Sequence, residues 1–334
     1  MRTFRTTLAW LCAAALVATG AAALILFNVE GRAFSAGTYK QAFERQNLYG
    51  RMPAILADAL HTAILQNGNA EPFLRNMGSS EWEAAIASIL PPQELKAMSD
   101  LTLDSVFGYL NNQSDSAVVP LQIVKARLAG PQGMELVHRI LNAQPECTLE
   151  QLLQMGLGFV VGDVSLCKPP DDMLGLVEPL LEAELRFLTG VIPDEVVLVS
   201  AEPGDPQGDP RIRLNRARTI MKFSPLLPAV LLISLTALAV RSLTDWLKWW
   251  GFPLLAIGAI SALAAMIGSP VLGLVIRTVM QSQVSFLPPV LISALGETIS
   301  AVSTQILSPV VLEGALLAGV GFVMVVTSML LHRK

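Results

Sequence analysis

Four stretches without a single charged residue limit what this chain can become. Residues 8–27, 223–240, 249–276 and 314–331 contain no Asp, Glu, Lys or Arg. A helix crosses the bilayer's hydrocarbon core with roughly 20 mainly apolar residues, and each stretch approaches or exceeds that length. Arg2 and Arg5 precede the first one, as in a signal anchor. Its apolar run is longer than the 7–15 residues of a cleaved signal core, so an uncleaved anchor is the reading taken here.

Charge divides the rest of the chain. Residues 29–222 carry 24 acids and 16 bases, whereas 223–334 carry only Arg241, Asp245, Lys248, Arg277, Glu297, Glu313, Arg333 and Lys334. The middle therefore reads as water-facing and the last third as lipid-facing. A soluble enzyme and a disordered protein are excluded, and a net charge of −4 argues against a nucleic-acid partner. The expected organisation is a signal-anchor helix (1–28), an extracytoplasmic helical domain (29–222) and a membrane domain with three spans (223–334). Arg241 and Lys248 separate two spans, and Arg333 and Lys334 follow the last. With the N-terminus inside, all of them obey the positive-inside rule, and both termini are cytoplasmic.

Two segments fit that scheme less simply. Arg211, Arg213, Arg216, Arg218 and Lys222 cluster before the second span on the proposed outer side. They read either as a contact for anionic lipid headgroups or a partner, or as a solvated linker. Residues 277–306 mix apolar Val284, Phe286, Leu287 and Val290 with polar Glu297, Ser300, Thr304 and Gln305, and Pro288-Pro289 interrupts them. The pattern predicts a broken helix lying at the interface, with a re-entrant segment as the alternative. Arg277 and Glu313 are the intramembrane charge candidates, expected near the outer face, where they would pair. Small residues at fourfold spacing, Ala14/Ala18/Ala22 and Ala315/Gly319, predict close helix packing and leave a homo-oligomer open.

Within 29–222 the pattern is mainly helical. Ser80 with Glu83 and Thr148 with Gln151 have capping-box spacing. Pro91 and Pro92 precede an apolar stripe running to Leu110, and Asp171 or Asp172 opens a helix that Gly190 stops. Pro53 splits the first helical stretch, placing Phe43 and Leu56 on different helices. Residues 117–124 and 195–200 read as short strands that pair into a minor two-stranded element. Cys147 and Cys167, 20 residues apart, form either a disulfide, favoured outside the cytoplasm, or two free thiols. The acid-rich run 150–209, with its two Gly-Asp-Pro units, reads as a solvated face and turn signals.

Chemistry is sparse. Asp58 with His61 and Glu135 with His138 have the i, i+3 spacing of a di-metal half-site, but such spacing is common by chance and no further ligand helices are apparent. No G-x-S-x-G elbow, H-E-x-x-H helix or P-loop is present. No catalytic residue, metal ligand or cofactor is assigned.

The runs Pro145-Glu146-Cys147-Thr148-Leu149-Glu150-Gln151-Leu152 and Leu166-Cys167-Lys168-Pro169-Pro170, with Tyr109-Leu110-Asn111 and Ile192-Pro193-Asp194, resemble a group of uncharacterised bacterial polytopic membrane proteins with an outer helical domain. That resemblance implies the topology and the Cys147–Cys167 bridge, and no activity. In layout alone, one span, an outer domain and three further spans is similar to ABC permeases of the cell-division and macrolide-exporter class. The expected function is a non-enzymatic cell-envelope protein whose outer domain binds a partner or lipid. The alternative is a permease-like subunit served by a separate ATPase.

Overall fold

The computed structural model describes residues 2–66, 72–148, 151, 167–201, 209–283 and 288–332. The chain is mainly helical, with one two-stranded sheet and, among the described residues, four helices long and apolar enough to cross a membrane. The first apolar stretch lies inside α1 (Arg2–Ala33). The second lies in α11 (Leu226–Ala239), which continues the basic helix α10 (Pro210–Phe223) through Ser224 and Pro225, both with helical backbone angles, so that Arg211–Ala239 together reach spanning length. The third and fourth lie in α12 (Leu243–Gln283) and α13 (Pro289–His332). At about 1.5 Å per residue, those two helices are roughly 60 and 66 Å long, about twice the hydrocarbon core.

α12 and α13 form one antiparallel hairpin, and glycine lets their backbones touch. A Cβ on Gly258 would lie 2.3 Å from the Gly314 carbonyl oxygen and 2.4 Å from the Ala318 nitrogen. A Cβ on Gly321 would lie 2.4 Å from the Leu255 nitrogen. Gly251, Gly258 and Ala265 on α12, and Gly314, Gly321 and Ser328 on α13, recur every seven residues and form this seam. Nothing lies within 4 Å of a Cβ on Gly319, so the fourfold pair Ala315/Gly319 is not the packed one. Ala14, Ala18 and Ala22 are likewise exposed. α1 instead turns Ala9, Ala13, Leu16 and Gly20 inward, onto Leu235 of α11 and Ile257 of α12.

Residues 289–306 do not form a helix separate from the fourth apolar stretch. Pro288 and Pro289 open α13, where proline's missing N–H costs nothing, and the helix runs on unbroken to His332. Residues 284–287, within the expected break, lie outside the described residues.

The helical domain is built from α2 (Ala36–Arg45), α3 (Leu48–Gln66), α4 (Pro72–Arg75), α5 (Ser79–Ile89), α6 (Pro92–Leu110), α7 (Gln122–Leu128), α8 (Pro131–Asn142) and α9 (Asp171–Val191). Its core joins Ala57 and Ile64 of α3 to Met77 and to Trp82 and Ala85 of α5, with Leu136 and Ile140 of α8 packed against them. Burying a side chain the size of Met77 contributes about 1.5–3 kcal/mol. Phe43 and Leu56 do fall on different helices, but the break is at Asn47, whose φ of 48° ends α2. Pro53 sits inside α3 as its sixth residue, where it removes the donor to the Tyr49 carbonyl without ending the helix. The cap of α5 also differs from the one expected at Ser80. Gly78 is the N-cap, and its N–H donates to the Glu81 carboxylate at 2.7 Å. Thr148 and Gln151 make the reciprocal capping bonds, while Leu152 and Leu153 lie outside the described residues. α9 begins at Asp171 behind Pro170.

β1 (Ser116–Pro120) pairs antiparallel with β2 (Glu195–Ser200), Ser116 opposite Ser200 and Pro120 opposite Glu195. β1 is shorter than the expected 117–124, because 122–128 are helical. Pro120 ends the strand, where its missing donor breaks no further ladder. Val118 N–H donates to Ser105 Oγ at 2.9 Å and holds the ribbon on α6.

Candidate functional site

The five clustered cations take two roles. α10 starts with Pro210 at its first position, and the Asp209 carboxylate accepts the Arg211 N–H at 2.8 Å. The Arg211 guanidinium turns back onto Asp209 at 2.9 Å, reaches the Ser114 carbonyl and stacks 4.7 Å from the Tyr109 ring centroid. Its bond to Asp209 holds that carboxyl below the usual carboxylate range. Arg218 pairs with Glu30 of α1 at 3.1 Å, donates to Asn111 beyond α6 and lies 4.6 Å from the Phe34 ring centroid. Both arginines therefore fasten α10 to α1 and to the end of α6.

Arg213, Arg216 and Lys222 are exposed and, among the described residues, have no acidic partner. Ile212, Arg216, Ile220 and Phe223 fall on one helical face, with Arg213 at its edge. Ile220 is 65% exposed and Phe223 57%. This face mixes cations with apolar side chains and lies directly ahead of apolar α11.

Glu313 and Arg277 are not brought together. Asn28 of α1 donates to Glu313 Oε2 at 2.7 Å. The hairpin register, Gly258 against Gly314 and Gly273 against Ser300, puts Arg277 near the level of Gly296, several turns from Glu313. The side chain of Arg277 lies outside the described residues. The sulfurs of Cys147 and Cys167 are 2.04 Å apart, a disulfide. Backbone bonds between Cys147 and Lys168, and between Lys168 and Pro145, hold the two segments together, and Cys167 is buried.

The acids of the two acid–histidine pairs face elsewhere. Asp58 accepts from Ser79, Glu135 pairs with Arg139 at 2.7 Å, and His138 faces Glu178 of α9 at 3.5 Å. Among the described residues, no group of three His, Cys, Asp or Glu converges as a metal site would require.

Two features escaped the sequence reading. The first is a polar seat between the helical domain and the far half of the hairpin. Arg51 of α3 pairs with Glu297 of α13 at 3.0 Å. Arg45 of α2 donates to Gln305 Oε1, and Gln305 Nε2 donates to Gln41 Oε1 at 2.9 Å. Glu297, Ser300, Ala301, Thr304, Gln305 and Ser308 repeat at helical spacing on α13, and a cavity of about 630 Å³ opens between them, α2 and α12. The only signal was the polar run itself, which names no partner on α2 or α3.

The second is an aromatic cluster at one end of the apolar bundle. The Trp10 and Trp249 rings lie 5.3 Å apart, Trp246 and Trp250 5.2 Å apart, and Trp250 Nε1 donates to Thr236 Oγ1 at 2.9 Å. Arg5, Arg241 and Asp245 line a cavity beside Trp249.

Away from these, Lys96 bridges Glu44 of α2 and Asp100 of α6 at 2.7 and 2.8 Å and lies over Tyr49. Burial, with Asp100 alongside, pushes the Tyr49 phenol up to about 12.

Comparison with protein-family models, curated proteins and solved structures finds no match.

Proposed function

We propose that this protein is a non-enzymatic, multi-pass cell-envelope membrane protein that rests its helical domain, on the outer side, against anionic lipid headgroups. The observation that carries this reading is the exposed face of α10. Arg213 and Arg216 stand beside Ile212, Ile220 and Phe223, with Lys222 exposed on the flank opposite Arg213, immediately before an apolar helix. Apolar side chains that enter the headgroup layer, with cations among them, are the composition an interfacial helix needs. Each base near an anionic surface contributes about 1 kcal/mol, so the three free cations together favour anionic lipid by about 3 kcal/mol, roughly a hundredfold.

Three further points support the topology. The tryptophans with Arg5, Arg241 and Lys248 sit at the opposite end of the bundle, as an aromatic belt and positive-inside charge at the cytoplasmic face require. The Cys147–Cys167 bridge fits an oxidising compartment. The connection between α11 and α12 is only Val240, Arg241 and Ser242, which offers an ATPase little to hold and disfavours the permease reading.

The test is lipid retention. Full-length protein is passed through micelles with equal phosphatidylglycerol and phosphatidylcholine, and bound lipid is counted by mass spectrometry. The variant Arg213→Gln/Arg216→Gln/Lys222→Gln retains several-fold less phosphatidylglycerol and unchanged phosphatidylcholine. Unchanged phosphatidylglycerol would reject the reading.

A further inference from the structure

We infer that the cavity between α2 and the far half of the α12–α13 hairpin is a binding site for an anionic amphiphile, a single phosphate or carboxylate head on an acyl chain. The inference deepens the lipid-contact reading above, but it rests on different residues. One wall is polar. The Arg45 guanidinium enters it, held by Gln305, and among the described residues no carboxylate lies within ion-pairing distance of Arg45. Glu297, the one acid lining the cavity, is already neutralised by Arg51. The site therefore carries a net positive charge.

Gln305 is 9% exposed and is fixed from behind by its own donation to Gln41. That second bond orients the carbonyl oxygen toward Arg45, so the cation is positioned before any ligand arrives. Ser300 and Ser308 add hydroxyls that make no side-chain hydrogen bond among the described residues. A charge-assisted hydrogen bond from a guanidinium favours a phosphate or carboxylate head.

The other wall is apolar. Ala42, Pro270, Leu274 and Ala301 line it, and Ile267, Val271 and Val275 on neighbouring turns of α12 are 61%, 47% and 52% exposed. A cationic wall facing an apolar one matches a head with a chain attached, whereas a free anion would use the cationic wall alone. Small side chains, Ala42, Gly273, Ser300 and Ala301, face the volume. A Cβ on Gly273 would come no closer than 3.6 Å to Ser300, ordinary contact distance.

The test uses full-length protein in a neutral detergent, titrated with dihexanoyl-phosphatidylglycerol, dihexanoyl-phosphatidylcholine and glycerol 3-phosphate. Wild type binds the phosphatidylglycerol at least tenfold more tightly than either of the others. Arg45→Gln and the cavity-filling Ala301→Leu each weaken it tenfold or more, and Arg45→Lys retains most of the binding. Arg213→Gln/Arg216→Gln/Lys222→Gln leaves this titration unchanged. If glycerol 3-phosphate binds as tightly as the lipid, the site takes a free anion and the amphiphile is rejected. If neither Arg45→Gln nor Ala301→Leu alters binding, the cavity is not the site, whatever the α10 variant does. If only the α10 variant loses binding, the headgroup contact stands and this inference falls.

Discussion

Gly258→Ala is the sharpest single perturbation of the fold. The added methyl would sit 2.3 Å from the Gly314 carbonyl oxygen and 2.4 Å from the Ala318 nitrogen. Both obstacles are backbone, so no rotamer change relieves them. Reaching ordinary contact requires the two helices to part by about 1 Å at their closest point, and overpacking of this kind typically costs about 1–3 kcal/mol. The upper half of that range applies, because Ala318 and Gly321 on the next turns must move with it. The control is Gly319→Ala, on the same hairpin, with nothing within 4 Å of its new methyl. Alanine there gains up to about 1 kcal/mol of helix propensity. The two variants should therefore differ by about 3 kcal/mol, or roughly 4 °C in thermal midpoint for a chain of this size. Thermal unfolding of the purified protein in one detergent, followed by circular dichroism, reads the difference. Equal midpoints for the two variants would refute the backbone-contact seam.

Arg218→Leu removes the partner of Glu30, which is 18% exposed, and should destabilise by about 2 kcal/mol, less than a fully buried pair would lose. Adding Glu30→Leu should recover most of that in the same thermal assay, and a double variant no better than the single would count against the clamp. The Arg211 guanidinium holds the Asp209 carboxyl below the ordinary carboxylate range, so its stabilisation of α10 is present above the unfolded-chain value of about 4 and is lost as the pH falls through the lowered value. Asp209→Asn should abolish that acid-side loss in a pH series, and an unchanged acid limb would contradict it. Tyr49 should ionise near 12, seen as a late step in ultraviolet titration that Tyr49→Phe deletes, whereas a full set of tyrosines titrating near 10 would deny its burial beside Asp100.

The parts legible in the sequence are those that depend on composition alone. A helix long enough for a bilayer needs only absence of charge, so four long apolar helices could be expected, but not their ends: α12 and α13 run well beyond the charge-free stretches 249–276 and 314–331. The β2 strand, with its run of Val196, Val197, Leu198 and Val199, was equally plain. Errors arose where a neighbour in space decides the outcome. Ala315/Gly319 has the spacing of a packing motif, yet it lies one face away from the Gly314/Gly321 seam, and helical periodicity does not say which face has a partner. Pro288-Pro289 reads as a break in either direction. It became a helix start because 289–306 pack against α12 and dock on α2 and α3 through Gln305 and Glu297. The cluster 211–222 was legible as charge, but its division into clamps and free cations was not, because Glu30 and Asn111 are far away in sequence. The Arg45 cavity was hidden for the same reason, since its cation and its hydroxyls come from helices about 250 residues apart.

The most direct test of the whole account is thiol labelling on intact cells with a membrane-impermeant maleimide, with and without reductant, in a Cys12→Ser background. The account places Cys147 and Cys167 outside and bonded to each other, so labelling should occur only after reduction and should not require opening the cells. Labelling without reductant, and only once the cells are opened, would put the helical domain in the cytoplasm and contradict the proposed topology and the function built on it.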